Sequence, residues 1–147
     1  MTRRCVGLCG VLLLTFMGLA SSATLRNPEE AKELAEKVLS RAAVGDMDGM
    51  ATVVKPYWPF PEDELEVLMA QMAQQRNLLA PRLGKSVGFT FVRREAAADT
   101  FIRLVYVERF ENTGLRWMFT FYKVKDVWKF NGFSWDEDIA KLFSSGN

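Results

Sequence analysis

At Ser86 the hydrophobic period of this chain changes from 3.6 residues to 2. Helical patterns lie before that point and strand patterns after it, so the segments cannot alternate as a parallel βαβ sheet requires. The fold class that follows is α+β: N-terminal helices packed on a four-stranded antiparallel sheet. Asn27-Pro28-Glu29-Glu30 opens the first helix, with Asn as cap, Pro at the first helical position and acids where the macrodipole favours them. Ala31, Leu34, Ala35, Val38, Leu39 and Ala42 form its apolar stripe, which ends near Gly45. A short second helix begins at Asp46 and carries Met47, Met50, Val53 and Val54; Pro56, Pro59 and Pro61 break it. Pro61-Glu62-Asp63-Glu64 opens a third helix with Leu65, Leu68, Met69, Met72 and Leu79 on one face. It ends around Leu79 to Leu83, where Pro81 and Gly84 are stop signals. Its methionines could form an adaptable surface, but at helical spacing they read as core.

Four strand patterns follow, at 86–95, 101–110, 116–124 and 127–136, the last two joined by the tight turn Lys125-Asp126. Phe101 to Phe110 is apolar on both faces near its centre, which predicts a central strand. Between Gly114 and Asp138 stand Trp117, Phe119, Phe121, Tyr122, Trp128, Phe130, Phe133 and Trp135. Trp117, Phe119 and Phe121 share one face of their strand, and Trp128 and Phe130 one face of the next. Phe133 and Trp135 have the opposite parity, and a bulge at Asn131-Gly132 would restore them to the same side. Most of these rings therefore read as sheet interior. Asp136-Glu137-Asp138 followed by Ile139, Ala140, Leu142 and Phe143 reads as the start of a short final helix or packed tail, in preference to a calcium site.

Residues 1–23 have the layout of a secretory leader: Arg3-Arg4, an apolar run from Cys5 to about Ala20, then Ser21-Ser22-Ala23, with cleavage expected after Ala23. Residues 24–147 then form a single domain, exported to a periplasmic or extracellular, bacterial destination. The leader carries both cysteines and two of the nineteen basic residues, so the remainder has 17 basic against 18 acidic side chains. It also has no histidine. Thiol and imidazole catalysis, Cys/His metal sites and disulfides are thereby excluded from it, no cofactor is called for, and near-neutral charge gives no footprint for nucleic acid. After cleavage no segment is apolar enough to span a bilayer.

Three helices with Ala43-Val44-Gly45-Asp46-Met47-Asp48 at the first junction, then four strands ending in FTFYKVKDVWKFNGFSWDEDIAKLF, resemble the nuclear-transport-factor-2-like (ketosteroid-isomerase-like) superfamily. Within it the likeness is to small secreted bacterial members of unassigned function. The resemblance implies a cone, in which a curved sheet wraps against helices around a pocket used by some members for catalysis and by others for binding. The catalytic patterns match poorly. Isomerase-type sites pair a carboxylate base with acidic donors, but Arg103 is opposite in parity to Tyr106 and Glu108. Dehydratase-type members use a histidine. Epoxide-hydrolase-type members use an Asp, Arg, Asp set, which Arg103 with Asp99 or Asp136 could imitate. No catalytic or metal-binding residue is assigned. The candidate ligand contacts are Tyr57, Trp58, Phe60, Arg103, Tyr106, Trp117, Phe119 and Trp135. The expected function is non-catalytic binding of a small apolar or amphipathic ligand or of a protein partner. The alternatives are an isomerase or lyase using carboxylate and Tyr chemistry, and a homodimeric module pairing through Met118, Tyr122 and Val124 on the sheet.

Overall fold

The computed structural model describes residues 21–143. The expected leader therefore lies, except for its last three residues, outside the described residues. Helix α1 (Pro28–Ala43) starts as the sequence dictates, with Asn27 Oδ1 accepting the Glu30 N–H at 2.9 Å and Pro28 in the first turn. Asp46 caps α2 (Met47–Val54) by accepting from the Gly49 N–H at 2.8 Å. A 3-10 turn at Lys55–Tyr57 leads into the proline-rich loop, and α3 (Glu62–Leu83) follows with Glu62, Asp63 and Glu64 in its first turn. Pro81 sits inside α3, and the helix stops at Gly84.

Four strands succeed them: β1 (Ser86–Ala97), β2 (Phe101–Phe110), β3 (Gly114–Val124) and β4 (Val127–Asp136). They pair antiparallel in chain order, so β2 and β3 are central. Strand β1 runs two residues beyond the sequence expectation because Ala96 and Ala97 still pair with Ile102 and Phe101. The reversal is squeezed into a short turn in which Ala98 takes a left-handed φ of 50°. The expected short final helix or packed tail is one 3-10 turn, Ile139–Leu142, with none of its side chains fully buried.

The register fixes what each face presents. Trp117 pairs with Trp135, Phe119 with Phe133 and Phe121 with Phe130, while Thr120 pairs with Gly132. Asn131 is thus the extra residue of a β-bulge, and Gly132 beside it has φ 146°. The bulge returns Phe133 and Trp135 to the face that carries Phe130. That face meets the helices: α1 packs on β1 and β2, α2 on α1, and α3 on α2. Leu34, Val38 and Leu39 of α1, Met50 of α2 and Met69 and Met72 of α3 are buried with the sheet rings in one core. Ahead of α1, Leu25 exchanges two backbone hydrogen bonds with Trp128, at 2.7 and 2.8 Å, and covers part of the outer edge of β4.

Deleting Asn131 should turn Phe133 and Trp135 toward solvent and cost about 3–5 kcal/mol, the scale of losing a buried aromatic contact. Urea unfolding followed by tryptophan fluorescence measures the loss.

Candidate functional site

On the inner face the strand pairing sets large rings side by side. Trp117 and Phe119 stack at 5.9 Å with planes 10° apart, Phe121 meets Phe130 edge-on at 5.6 Å, and Tyr106 meets Phe119 edge-on at 6.0 Å. Tyr106, Trp117, Phe119 and Phe121 are 0 % exposed and Phe130 is 1 % exposed, so these rings fill the space between sheet and helices. Pairs in such geometry each contribute about 0.5–1.5 kcal/mol beyond their area burial.

Among these rings lies one fully buried carboxylate. Glu108 of β2 accepts from Arg76 Nη1 at 2.8 Å, Arg76 Nη2 at 2.9 Å and the Trp117 indole N–H at 3.0 Å. Arg76 Nη2 also donates to the Ala42 carbonyl in the last turn of α1 at 2.9 Å. One ion pair therefore ties α3 to the central strands and to the end of α1. Burying two charges costs several kcal/mol each, and here bidentate geometry and two further hydrogen bonds offset it. A base free to take a substrate proton needs an open coordination side, and Glu108 spends its oxygens on Arg76 and Trp117. Tyr106 is likewise committed: burial, then the nearby Glu36 carboxylate 3.4 Å from its hydroxyl, hold the phenol well above its ordinary pKa. It stays neutral, and its O–H is directed at the Glu36 carboxylate.

The remaining candidates occupy other places. Arg103 points from the opposite face of β2, half exposed, and meets Glu95 at 3.4 Å. Asp99 is taken by Lys123 at 2.7 Å and Asp136 by Arg116, so the Asp, Arg, Asp set does not assemble. Trp135 is half-buried, 6.5 Å from Trp117. Trp58 and Phe60 stand together on the proline-rich loop with ring centres 5.5 Å apart, and the Trp58 indole donates to the Pro61 carbonyl at 3.1 Å. They line an open groove of about 790 Å³ with Thr52, Lys55, Pro56, Pro61, Glu62 and Leu65, and with Ser21 and Ser22, which cleavage after Ala23 would remove from its wall. Tyr57 faces a separate open groove of about 560 Å³ beside Leu25, Leu34 and Lys37. The eight candidate contacts thus divide between the core, the outer sheet face and the proline-rich loop, and only Trp58 and Phe60 share an accessible concave surface.

The Arg76–Glu108 pair escaped the reading of the sequence because its members are 32 residues apart. A signal was present. Arg76 continues the stripe Leu65, Met69, Met72, and Glu108 shares the parity of Tyr106, so each charge was placed inward and needed the other.

Among the described residues no group of three His, Cys, Asp or Glu side chains converges as a metal site, and no helix is long and apolar enough to cross a membrane. Comparison of the chain with protein-family models, curated proteins and solved structures finds no match.

Replacing Arg76 by Ala should strand the buried carboxylate and destabilise the domain by about 3–5 kcal/mol. Arg76→Met with Glu108→Leu removes both charges and should cost less than either single change; a double-mutant cycle in urea checks the non-additivity. At the end of the sheet, Arg116 donates to Asp136 from Nε at 3.1 Å and Nη2 at 2.5 Å. The hydrogen bond from Arg116, reinforced by the Asp138 N–H and the charge of Lys141, holds the Asp136 pKa below its ordinary value. Because the folded pKa is the depressed one, this stabilisation is complete above the unfolded value of about 3.9 and disappears as pH falls through the folded one. An NMR titration should find the Asp136 carboxyl titrating below that unfolded value, with Arg116→Gln moving it upward.

Proposed function

We propose that the chain is an exported, non-catalytic domain that binds an apolar or amphipathic ligand or a protein partner at its surface. The observation that carries this reading is the open groove beside Trp58 and Phe60; the filled interior, where Trp117, Phe119, Phe121 and Phe130 occupy the space between sheet and helices, weighs against an enclosed ligand pocket as much as against a substrate pocket. A substrate pocket between sheet and helices would need those rings to leave, at about 2–3 kcal/mol each. The engagement of Glu108 and Tyr106 supports the same reading, since neither is free to act on a substrate. The groove at Trp58 and Phe60 is the site assigned to binding. Phe60 is 50 % exposed, and Lys55 at the rim is paired with Glu62, so the groove offers rings and proline with little net charge. That chemistry suits an apolar or amphipathic occupant. Export, a bacterial envelope location and kinship with the nuclear-transport-factor-2-like superfamily belong to the same proposal, supported by the leader pattern and by the order of three helices and four strands.

Native mass spectrometry of the protein recovered from expressing bacteria tests the proposal. A small apolar molecule or a partner should remain bound to the unaltered chain and be lost from Phe60→Ser, a surface change expected to alter stability by no more than about 0.5 kcal/mol. A bound mass retained undiminished by Phe60→Ser would place the site elsewhere.

A further inference from the structure

The face of the sheet turned away from the helices is partly covered by the chain's own C-terminal segment. Val105 belongs to that face, paired with Arg93 on β1 and Met118 on β3, and is 0 % exposed. On the same side, Glu137–Phe143 packs against β3. Arg93 donates to the Leu142 carbonyl at 2.8 Å and to the Lys141 carbonyl at 3.2 Å, and Arg82 of α3 pairs with Glu137. At the start of β3 a methyl on Gly114 would stand 2.8 Å from Val107 Cγ2 of the neighbouring strand and, in ordinary van der Waals contact, 3.7 Å from Ile139 Cδ1 of the segment. The body of the domain thus supplies guanidinium groups and an aliphatic shelf, and the segment supplies an acid, two main-chain carbonyls and Ile139.

The segment itself is weakly built. It makes one 3-10 turn, none of that turn's residues is fully buried, and Phe143 at its end is 83 % exposed. Its attachment rests largely on side chains of the body, whereas β2 is held by backbone pairing on both sides. Elements with few buried contacts open locally at a small fraction of the global unfolding free energy.

We infer that the outer sheet face around Arg93 and Val105, with Arg82 of α3 at its margin, is a docking surface for an acidic segment with aliphatic side chains in a turn conformation, and that Glu137–Phe143 occupies it in cis as a displaceable cover. Charge is complementary to that chemistry: Arg93, which also pairs with Glu95, donates to two main-chain carbonyls of a turn, Arg82 meets an acid, and Ile139 lies within contact of the Gly114 position at the start of β3. This surface is separate from the Trp58 groove, so either assignment can fail while the other stands.

The test uses the full chain. Hydrogen exchange should show the amides of Ile139, Lys141 and Phe143 exchanging about a hundredfold faster than those of β2; equal protection would mean that the segment does not open by itself and would overturn the inference. The paired change Glu137→Arg with Ile139→Asp releases the cover and leaves the receiving face intact. A labelled peptide of residues 136–147 should bind that variant about tenfold or more tighter than the unaltered chain, because the face no longer has to be vacated first. Adding Arg93→Ala should abolish the gain. A released variant with native circular dichroism that binds the peptide no better than the unaltered chain, or binding indifferent to Arg93, would also overturn it. Should that variant not fold, Ile139→Asp alone releases the cover, and the same peptide measurement on it, with and without Arg93→Ala, decides.

Discussion

The buried pair of Arg76 and Glu108 is the constraint on which the rest of the molecule depends. A carboxylate in the middle of an aromatic sheet is tolerable only with a cation held against it, and the cation comes from the third helix. Because the guanidinium also caps a carbonyl at the end of α1, that pair fixes where both helices stand relative to the central strands. The Trp117 indole completes the group, so the largest ring of the inner face is set in place by the same charge. Three elements whose amphipathic stripes would accept several registers are thereby held to one.

Once the helices are placed, the rings of β3 and β4 close the interior. The bulge at Asn131 is what makes closure available: without the extra residue, half of the β4 aromatics would face solvent. The consequence for function is direct. A sheet that uses its aromatic face as core has only its edges, its loops and its outer face left for recognition. The edge of β4 is partly covered by Leu25, the proline-rich loop forms the Trp58 groove, and the outer face carries the C-terminal segment.

Much of the architecture is legible in the sequence because it is written in local signals. Asn27-Pro28 and Asp46 announce helix starts through hydrogen bonds within a few residues, and the parity break at Asn131-Gly132 marks the bulge without any tertiary information. The end of β1 is less legible, since whether Ala96 and Ala97 pair depends on the partner strand and not on their own propensity. The candidate site is less legible still. Parity correctly separates Arg103 from Tyr106 and Glu108, but Trp117 and Phe119 as lining residues and as packed core have the same alternation, and only the position of the helices distinguishes them. The arginines that hold the C-terminal segment lie 48 to 55 residues from their partners, beyond the reach of any periodicity.

The central claim is that the space between helices and sheet is filled. Xenon enters dry apolar cavities larger than an atom, and a crystal pressurised with the gas locates them directly. The account predicts no xenon bordered by Trp117, Phe119, Phe121 and Phe130. An occupied xenon site among those rings would contradict it and return the interior to consideration as a binding pocket.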